Sequence, residues 1–163
     1  MSLVLVRIDC RLIHGQIIEA WVPSTRADLL VVANDQVAED HWQRTLMEMS
    51  VPTTLEIAVL KVQEAASVLN SGRWEDKRVI LLFANCRDAW LFCRSGLMFD
   101  HLNLGNLYCA PGKTQITRNV ALDQNDMECL QKLQAQGIRV EVRLVPKDHS
   151  KDLSDIVDQV CIN

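Results

Sequence analysis

The chain has 163 residues, 48% of them apolar and 23% charged, a composition that excludes disorder and collagen-like repeats and favours one domain over residues 1–163. A net charge of -4, from 17 Lys and Arg against 21 Asp and Glu, argues against a nucleic-acid partner or an anionic membrane surface. The apolar run at 79–84 falls far short of the ~18 residues that a membrane span needs, and the start of the chain has neither a basic leader nor a small-residue cleavage site. A cytoplasmic protein with no membrane insertion is therefore expected.

Strand and helix patterns alternate along the chain. Residues 3–9 are β-rich, residues 15–21 open a helix, and Pro23 marks its end. The continuous apolar run 28–33 fits a strand buried on both faces. Ala38, Trp42, Leu46 and Met49 then form an apolar stripe at helical spacing, closed by Pro52. Strands are predicted at 54–60, 79–83 and 101–104, with helices at 62–69 and 89–93 between them. Residues 105–113 read as a loop with a turn at Pro111-Gly112, and 119–122 is expected to pair as a strand. Asp123 is a good N-cap for a helix stopped at Gly137, and 138–145 is a last strand before Pro146. Leu153, Ile156, Val157 and Val160 form the stripe of a terminal helix. Such alternation predicts an α/β fold with a mainly parallel sheet between helices, whose ligands bind beyond the carboxyl ends of the strands.

The loop after the first strand, Asp9-Cys10-Arg11-Leu12-Ile13-His14-Gly15-Gln16, gathers an acid, an arginine, a histidine and a glycine just before a helix. Helix starts carry free backbone N–H groups and favour anions. Arg11 offers a fork of donors for phosphate oxygens, Gly15 permits close backbone approach, and Asp9 would orient the imidazole or Arg11, or accept a proton. A neutral imidazole at His14 is a competent nucleophile, and phosphoryl transfer needs mostly positioning and charge stabilisation. A loop histidine and a surface arginine also have the ordinary reading of solvated side chains. His41, His101 and His149 lack any metal-ligand spacing, and no dinucleotide fingerprint, nucleophile elbow or C-x-x-C is present. Gly112-Lys113-Thr114 ends like a phosphate-binding loop, but the glycine such a loop requires is Leu107 here. Lys113 still joins Arg11 on one phosphate if their loops meet. The cysteines at 10, 86, 93, 109, 129 and 161 fit reduced thiols among apolar residues rather than a disulfide framework.

The segment Val6-Arg7-Ile8-Asp9-Cys10-Arg11-Leu12-Ile13-His14-Gly15-Gln16, with Trp21 following, closely resembles the start of the IIB subunits of the mannose/sorbose class of the bacterial sugar phosphotransferase system. Asn34 to Ala38, Asn103-Leu104-Gly105, Gly112-Lys113-Thr114, Gly137-Ile138 and Val145-Pro146 resemble further segments of that family, so the likeness covers most of the chain. Asn106, Leu107 and Tyr108 depart from it, standing where the family usually has a second glycine and often Met-His. The residues after the fourth strand, Phe83-Ala84-Asn85, lack its common proline, and Asn34 replaces a commoner acid.

The resemblance implies a three-layer fold with a mostly parallel sheet of about seven strands. It implies a protein-Nπ-phosphohistidine–sugar phosphotransferase component that takes phosphate from a phosphorylated IIA protein or domain on Nδ1 of His14. The phosphate then passes to a sugar brought in by the IIC and IID membrane subunits. Arg11 stabilises the phosphoryl group and Asp9 is the acid of the same loop; Gly15, Gln16 and Lys113 complete the expected phosphate site. No cofactor and no metal are implied. A regulatory phosphohistidine module signalling to a protein partner uses the same residues, and a small-anion or metal-binding protein is the remaining alternative.

Overall fold

A computed structural model describes residues 1–108 and 110–161, without the side chains of 158–161. Its main sheet has seven strands in the order β3-β2-β4-β1-β5-β8-β9. These are β1 (Ser2–Asp9), β2 (Leu29–Ala33), β3 (Glu56–Leu60), β4 (Arg78–Phe83), β5 (His101–Asn106), β8 (Arg139–Val142) and β9 (Lys151–Asp152). All neighbours pair in parallel except β8 and β9. The strands β6 (Thr114–Thr117) and β7 (Val120–Leu122) form a separate antiparallel hairpin. The expected α/β sheet with its mostly parallel strands is thus the observed one.

Continuous apolar runs make the central strands, because both of their faces are covered. Val6, Ile8, Val31, Leu81 and Phe83 point to one side, under α4 (Val62–Asn70), α5 (Cys86–Arg94), α6 (Gln124–Ala135) and α7 (Leu153–Cys161). Leu30, Val32, Ile80 and Leu82 point to the other, under Ile17, Trp21 and the Val37 of α2 (Asp35–Glu39). The chain leaves β1 toward β2 on one side and continues from β5 toward β8 on the other. The carboxyl ends of the adjacent β1 and β5 therefore form a switch point, where a crevice opens in sheets of this type.

Several local expectations are corrected. Residues 16–21 form a π-helical turn, Gln16–Trp21, that runs straight into α1 (Val22–Thr25). Pro23 stands in the first turn of α1 rather than at its end, and the helix ends at Arg26 in a left-handed conformation with φ 51°. The apolar stripe expected on one helix is broken at Asp40. There the backbone is extended, and the Asp40 carboxylate caps a separate helix, α3 (His41–Ser50), through the amides of Trp42 and Gln43. Trp42, Leu46 and Met49 consequently face solvent, 77%, 65% and 78% exposed, while Met47 packs inward. The strand expected at 101–104 extends to Asn106, β6 was not foreseen, and the strand expected to reach 145 stops at Val142.

Asp123 caps α6 as expected, and reciprocally: its Oδ1 accepts from the Asp126 amide at 2.9 Å, and Asp126 Oδ2 accepts from the Asp123 amide at 3.3 Å. Asp123→Ala is expected to lower the unfolding free energy by about 1 kcal/mol, read as an earlier urea midpoint at unchanged slope. Cys10, Cys86, Cys93 and Cys129 are free thiols; Cys109, and the side chains of Val160 and Cys161, lie outside the described residues.

Candidate functional site

The site grows out of the alternation of β1. Val6 and Ile8 face the larger core, so Arg7 and Asp9 share the opposite face. Both are buried to 0% exposure. Arg7 Nε and Nη2 donate to Asp9 Oδ2 at 3.2 and 2.9 Å. Its Nη1 donates to Asn103 Oδ1 and, at 2.9 Å, to the Arg143 carbonyl. The Trp21 ring closes over this guanidinium, its centroid 5.4 Å from Cζ, and is itself anchored by Nε1 donating to the Leu144 carbonyl at 3.1 Å.

Strand β5 contributes from the other side. Arg7 pairs with Asn103 and Ile8 with Leu104, but Asp9 pairs with Asn106, so Gly105 is an extra residue in the ladder. This irregularity turns Asn106 onto the acid, where its Nδ2 donates to Asp9 Oδ2 at 2.8 Å. Gly105 is there for want of space: a Cβ would lie 1.9 Å from Arg7 Nη2 and 2.0 Å from Cζ.

Beyond β1 the chain turns sharply, with the Leu12 amide donating to the Asp9 carbonyl at 2.9 Å. Leu12 has φ 54° and only 2% exposure, a left-handed backbone held by a buried side chain. His14 follows, directly before the helical turn, and accepts at its carbonyl from the Ile17 and Ile18 amides at 2.9 and 3.1 Å. Its Nε2 lies 2.9 Å from Asp9 Oδ2. In the neutral ring, an ionised carboxylate at this position accepts from Nε2–H and so selects the tautomer with its lone pair on Nδ1. Burial pushes the Asp9 carboxyl up, but the His14 hydrogen bond, the Arg7 charge and the Asn106 amide outweigh it and hold the group below its ordinary value. Burial also draws the Arg7 guanidinium down, against the pull of Asp9.

Arg11 borders the histidine with a 40% exposed side chain. Its amide donates to Asp9 Oδ1 at 3.2 Å, its Nε stands 4.0 Å from that oxygen, and Nη2 donates to Gln16 Oε1 at 3.1 Å. Gln16 Oε1 also accepts weakly from Asn106, at 3.4 Å. Gly15 begins the turn, open enough that an added Cβ would meet only the Glu19 carboxyl at 3.9 Å. Asp9, Arg11, His14, Gly15 and Gln16 thus come together. Lys113 is engaged elsewhere: its Nζ donates to Asp126 Oδ2 at 2.5 Å and stands 3.9 Å from Asp123, at the start of α6. Burial lowers the ammonium, and Asp126 more than restores it.

Arg7, Asn103, Gly105 and Asn106 support the site without having been singled out for it by residue chemistry. The signal in the sequence was two charges at alternate positions, Arg7 and Asp9, inside an otherwise apolar strand. Among the described residues no group of three or more His, Cys, Asp or Glu could hold a metal, and no helix is long and apolar enough to cross a membrane.

The family model for the sorbose subfamily IIB component of the phosphotransferase system matches residues 3–162. The chain belongs to this family. It is 32% identical over 159 residues to the sorbose-specific EIIB component of Klebsiella pneumoniae, covering 98% of this chain and 97% of that one. The solved structure of the IIBSor domain of the sorbose permease from that organism superposes with a TM-score of 0.92, covering 98% of both chains. The mannose-specific EIIAB component of Escherichia coli K12 is 34% identical over 160 residues, 98% of this chain and 50% of that protein. The protein is thus a sugar-phosphotransferase-system IIB component, and phosphoryl transfer in general is the chemistry of its class.

Proposed function

We propose that this IIB component is a cytoplasmic phosphoryl carrier with Nδ1 of His14 as its acceptor atom. The observation that carries this reading is the 2.9 Å contact between Asp9 Oδ2 and His14 Nε2. It ties one ring nitrogen to a buried carboxylate and leaves the other as the nucleophile. The Nδ1 lone pair forms the bond to phosphorus as the donor's bond to phosphorus breaks, and the electron pair of that bond stays with the donor. The ring then carries positive charge, which the Asp9 carboxylate faces through the Nε2 proton. Transfer onward reverses these changes.

Arg11 is the mobile clamp of this reading. It is half-exposed and held only by Gln16 and a long approach to Asp9, so its fork is free to turn onto phosphoryl oxygens. Gly15 and Gln16 frame the same space. This reading leaves Lys113 out, because its ammonium pairs with Asp126 and approaches Asp123. The donor is a phosphorylated IIA protein or domain. The acceptor is a sugar presented by IIC and IID membrane subunits. The likeness to one half of a mannose-specific EIIAB component supports the IIA partnership.

The test is peptide mass spectrometry after incubation with a phosphorylated IIA-type donor, beside a IIB protein of proven activity. An acid-labile phosphate on His14 is expected; none, with the control labelled, overturns the reading. Adding membrane subunits and sugar then reports sugar phosphate. Arg11→Lys is expected to slow uptake roughly 10- to 100-fold, because an ammonium cannot reproduce two parallel donors. Rapid-quench rates equal to those of the parent would remove Arg11 from this role.

A further inference from the structure

Arg7 is the bulkiest of the wholly buried side chains, and the phosphoryl chemistry above makes no use of it. Burying a guanidinium is costly unless it is paired and its donors are satisfied. Here every neighbour serves that end. Asp9, Asn103 and the Arg143 carbonyl accept its hydrogen bonds, Trp21 covers it, and Gly105 has no Cβ where one would collide with it.

We propose that Arg7 is a positioning residue for His14, its buried charge cancelling that of Asp9 so that the carboxylate orients the imidazole without converting it to imidazolium. The inference rests on His14 being the phosphoryl acceptor. A lone carboxylate hydrogen-bonded to an imidazole favours the doubly protonated ring. That ring has no lone pair on Nδ1 and cannot attack phosphorus. An acid and a guanidinium locked together carry no net charge, so the hydrogen bond to Nε2 selects the tautomer while the second proton is not drawn in. During transfer the Nε2 proton stays in place, and only the Nδ1–phosphorus bond forms or breaks.

Other charged and titratable groups around the site lie on several elements. On the loop, the Arg11 guanidinium comes no closer than 4.0 Å to the Asp9 carboxylate and is open to water, which screens it, and Cys10 is half-buried. On the π-helical turn, Glu19 lies beside Gly15. From β8, Glu141 accepts from Asn103 at 3.1 Å, and just after that strand the Arg143 guanidinium lies 5.6 Å from the Trp21 ring. Tyr108, after β5, is exposed and interacts with Cys10. Among the described residues, Arg7 is the basic side chain besides His14 itself that hydrogen-bonds the Asp9 carboxylate directly.

The experiment pairs two readouts. Nitrogen-15 spectra of the imidazoles, with the His14 signals assigned by their loss in His14→Ala, report its protonation without any donor. Rates of phosphoryl uptake across pH report its nucleophilicity. Arg7→Gln keeps a hydrogen-bond donor but removes the charge. It is expected to move the acid limb of the uptake profile upward by about one pH unit, giving about a tenfold loss on that limb that vanishes at higher pH. Its spectrum should show both ring nitrogens protonated at a pH where the parent has only Nε2–H. Arg7→Lys is expected to return the limb to the parent position.

Asp9→Asn, which leaves Arg7 uncompensated, should move the limb the opposite way, and the double variant Arg7→Gln/Asp9→Asn should fall between the two. If Arg7→Gln does not fold, the order of Asp9→Asn and the double variant still decides the matter. A purely structural Arg7 would lower the rate equally at all pH values and leave the spectra unchanged, which overturns the proposal. Absence of uptake by the parent overturns the carrier reading instead, while the spectra still judge Arg7.

Discussion

His14→Ala is expected to abolish the acid-labile phosphate on this protein and to leave its fold intact. The chemical half follows from the site, because no other side chain in the loop carries an imidazole. A guanidinium and a carboxamide, the groups of Arg11 and Gln16, are not nucleophiles for phosphorus. The stability half follows from what the imidazole touches. Its one side-chain bond is to Asp9 Oδ2, and that oxygen keeps Arg7 and Asn106 as donors when the ring is removed. The buried carboxylate is therefore not orphaned, and the expected loss is about 1 kcal/mol, a fall of roughly 2–4 °C in melting temperature. Mass spectrometry and a thermal melt on one sample check both. Phosphate at the parent level in the variant would assign the chemistry to another residue.

Gly105→Ala is expected to give the largest loss of stability of any single methyl group added to this protein. Flexible side chains usually move aside for such an intrusion. Arg7 cannot, since it is fully buried, bonded to Asp9, Asn103 and the Arg143 carbonyl, and covered by Trp21. A Cβ 1.9 Å from its Nη2 must separate the guanidinium from Asp9 or spread β1 from β5. Breaking a buried ion pair costs about 3–5 kcal/mol, so a melting temperature lower by about 10 °C is expected. A loss below about 1 kcal/mol in urea unfolding would mean that the two strands accommodate the methyl group freely. The same variant should also impair phosphoryl uptake, since it displaces the partner of the acid that holds His14.

The histidine loop was legible because its residues are contiguous. Asp9, Arg11, His14, Gly15 and Gln16 fall within one turn of chain after an apolar strand, so local spacing alone brings them together. Arg7 stands only two residues from Asp9, yet its role was not legible. An arginine in a strand reads as a solvent-facing residue until the opposite face is known to be covered. Trp21 supplies that cover from the end of a π-helical turn. Asn106 was hidden for a different reason: the residues from 105 onward have loop composition, and only pairing with β1 extends β5 through them. Lys113 shows the converse, since a Gly-Lys-Thr triplet signals phosphate by local pattern while in the fold its ammonium pairs with the acids that cap α6.

The sequence by itself determined the alternation of strands and helices, the parallel sheet, the caps at Asp123 and Gly137 and the composition of the His14 loop. These follow from periodicity, turn chemistry and short-range hydrogen bonding, all of which act between near neighbours. Only the tertiary structure decided that Trp42, Leu46 and Met49 face outward, because the backbone leaves helical geometry at Asp40 and the stripe of α2 does not continue on α3, which packs through Met47 instead. It also decided that a guanidinium, a missing Cβ and an amide from β5 stand behind the acid that holds His14. Electrostatics in a buried site depends on distance through space and on exclusion of water, and neither can be read along the chain.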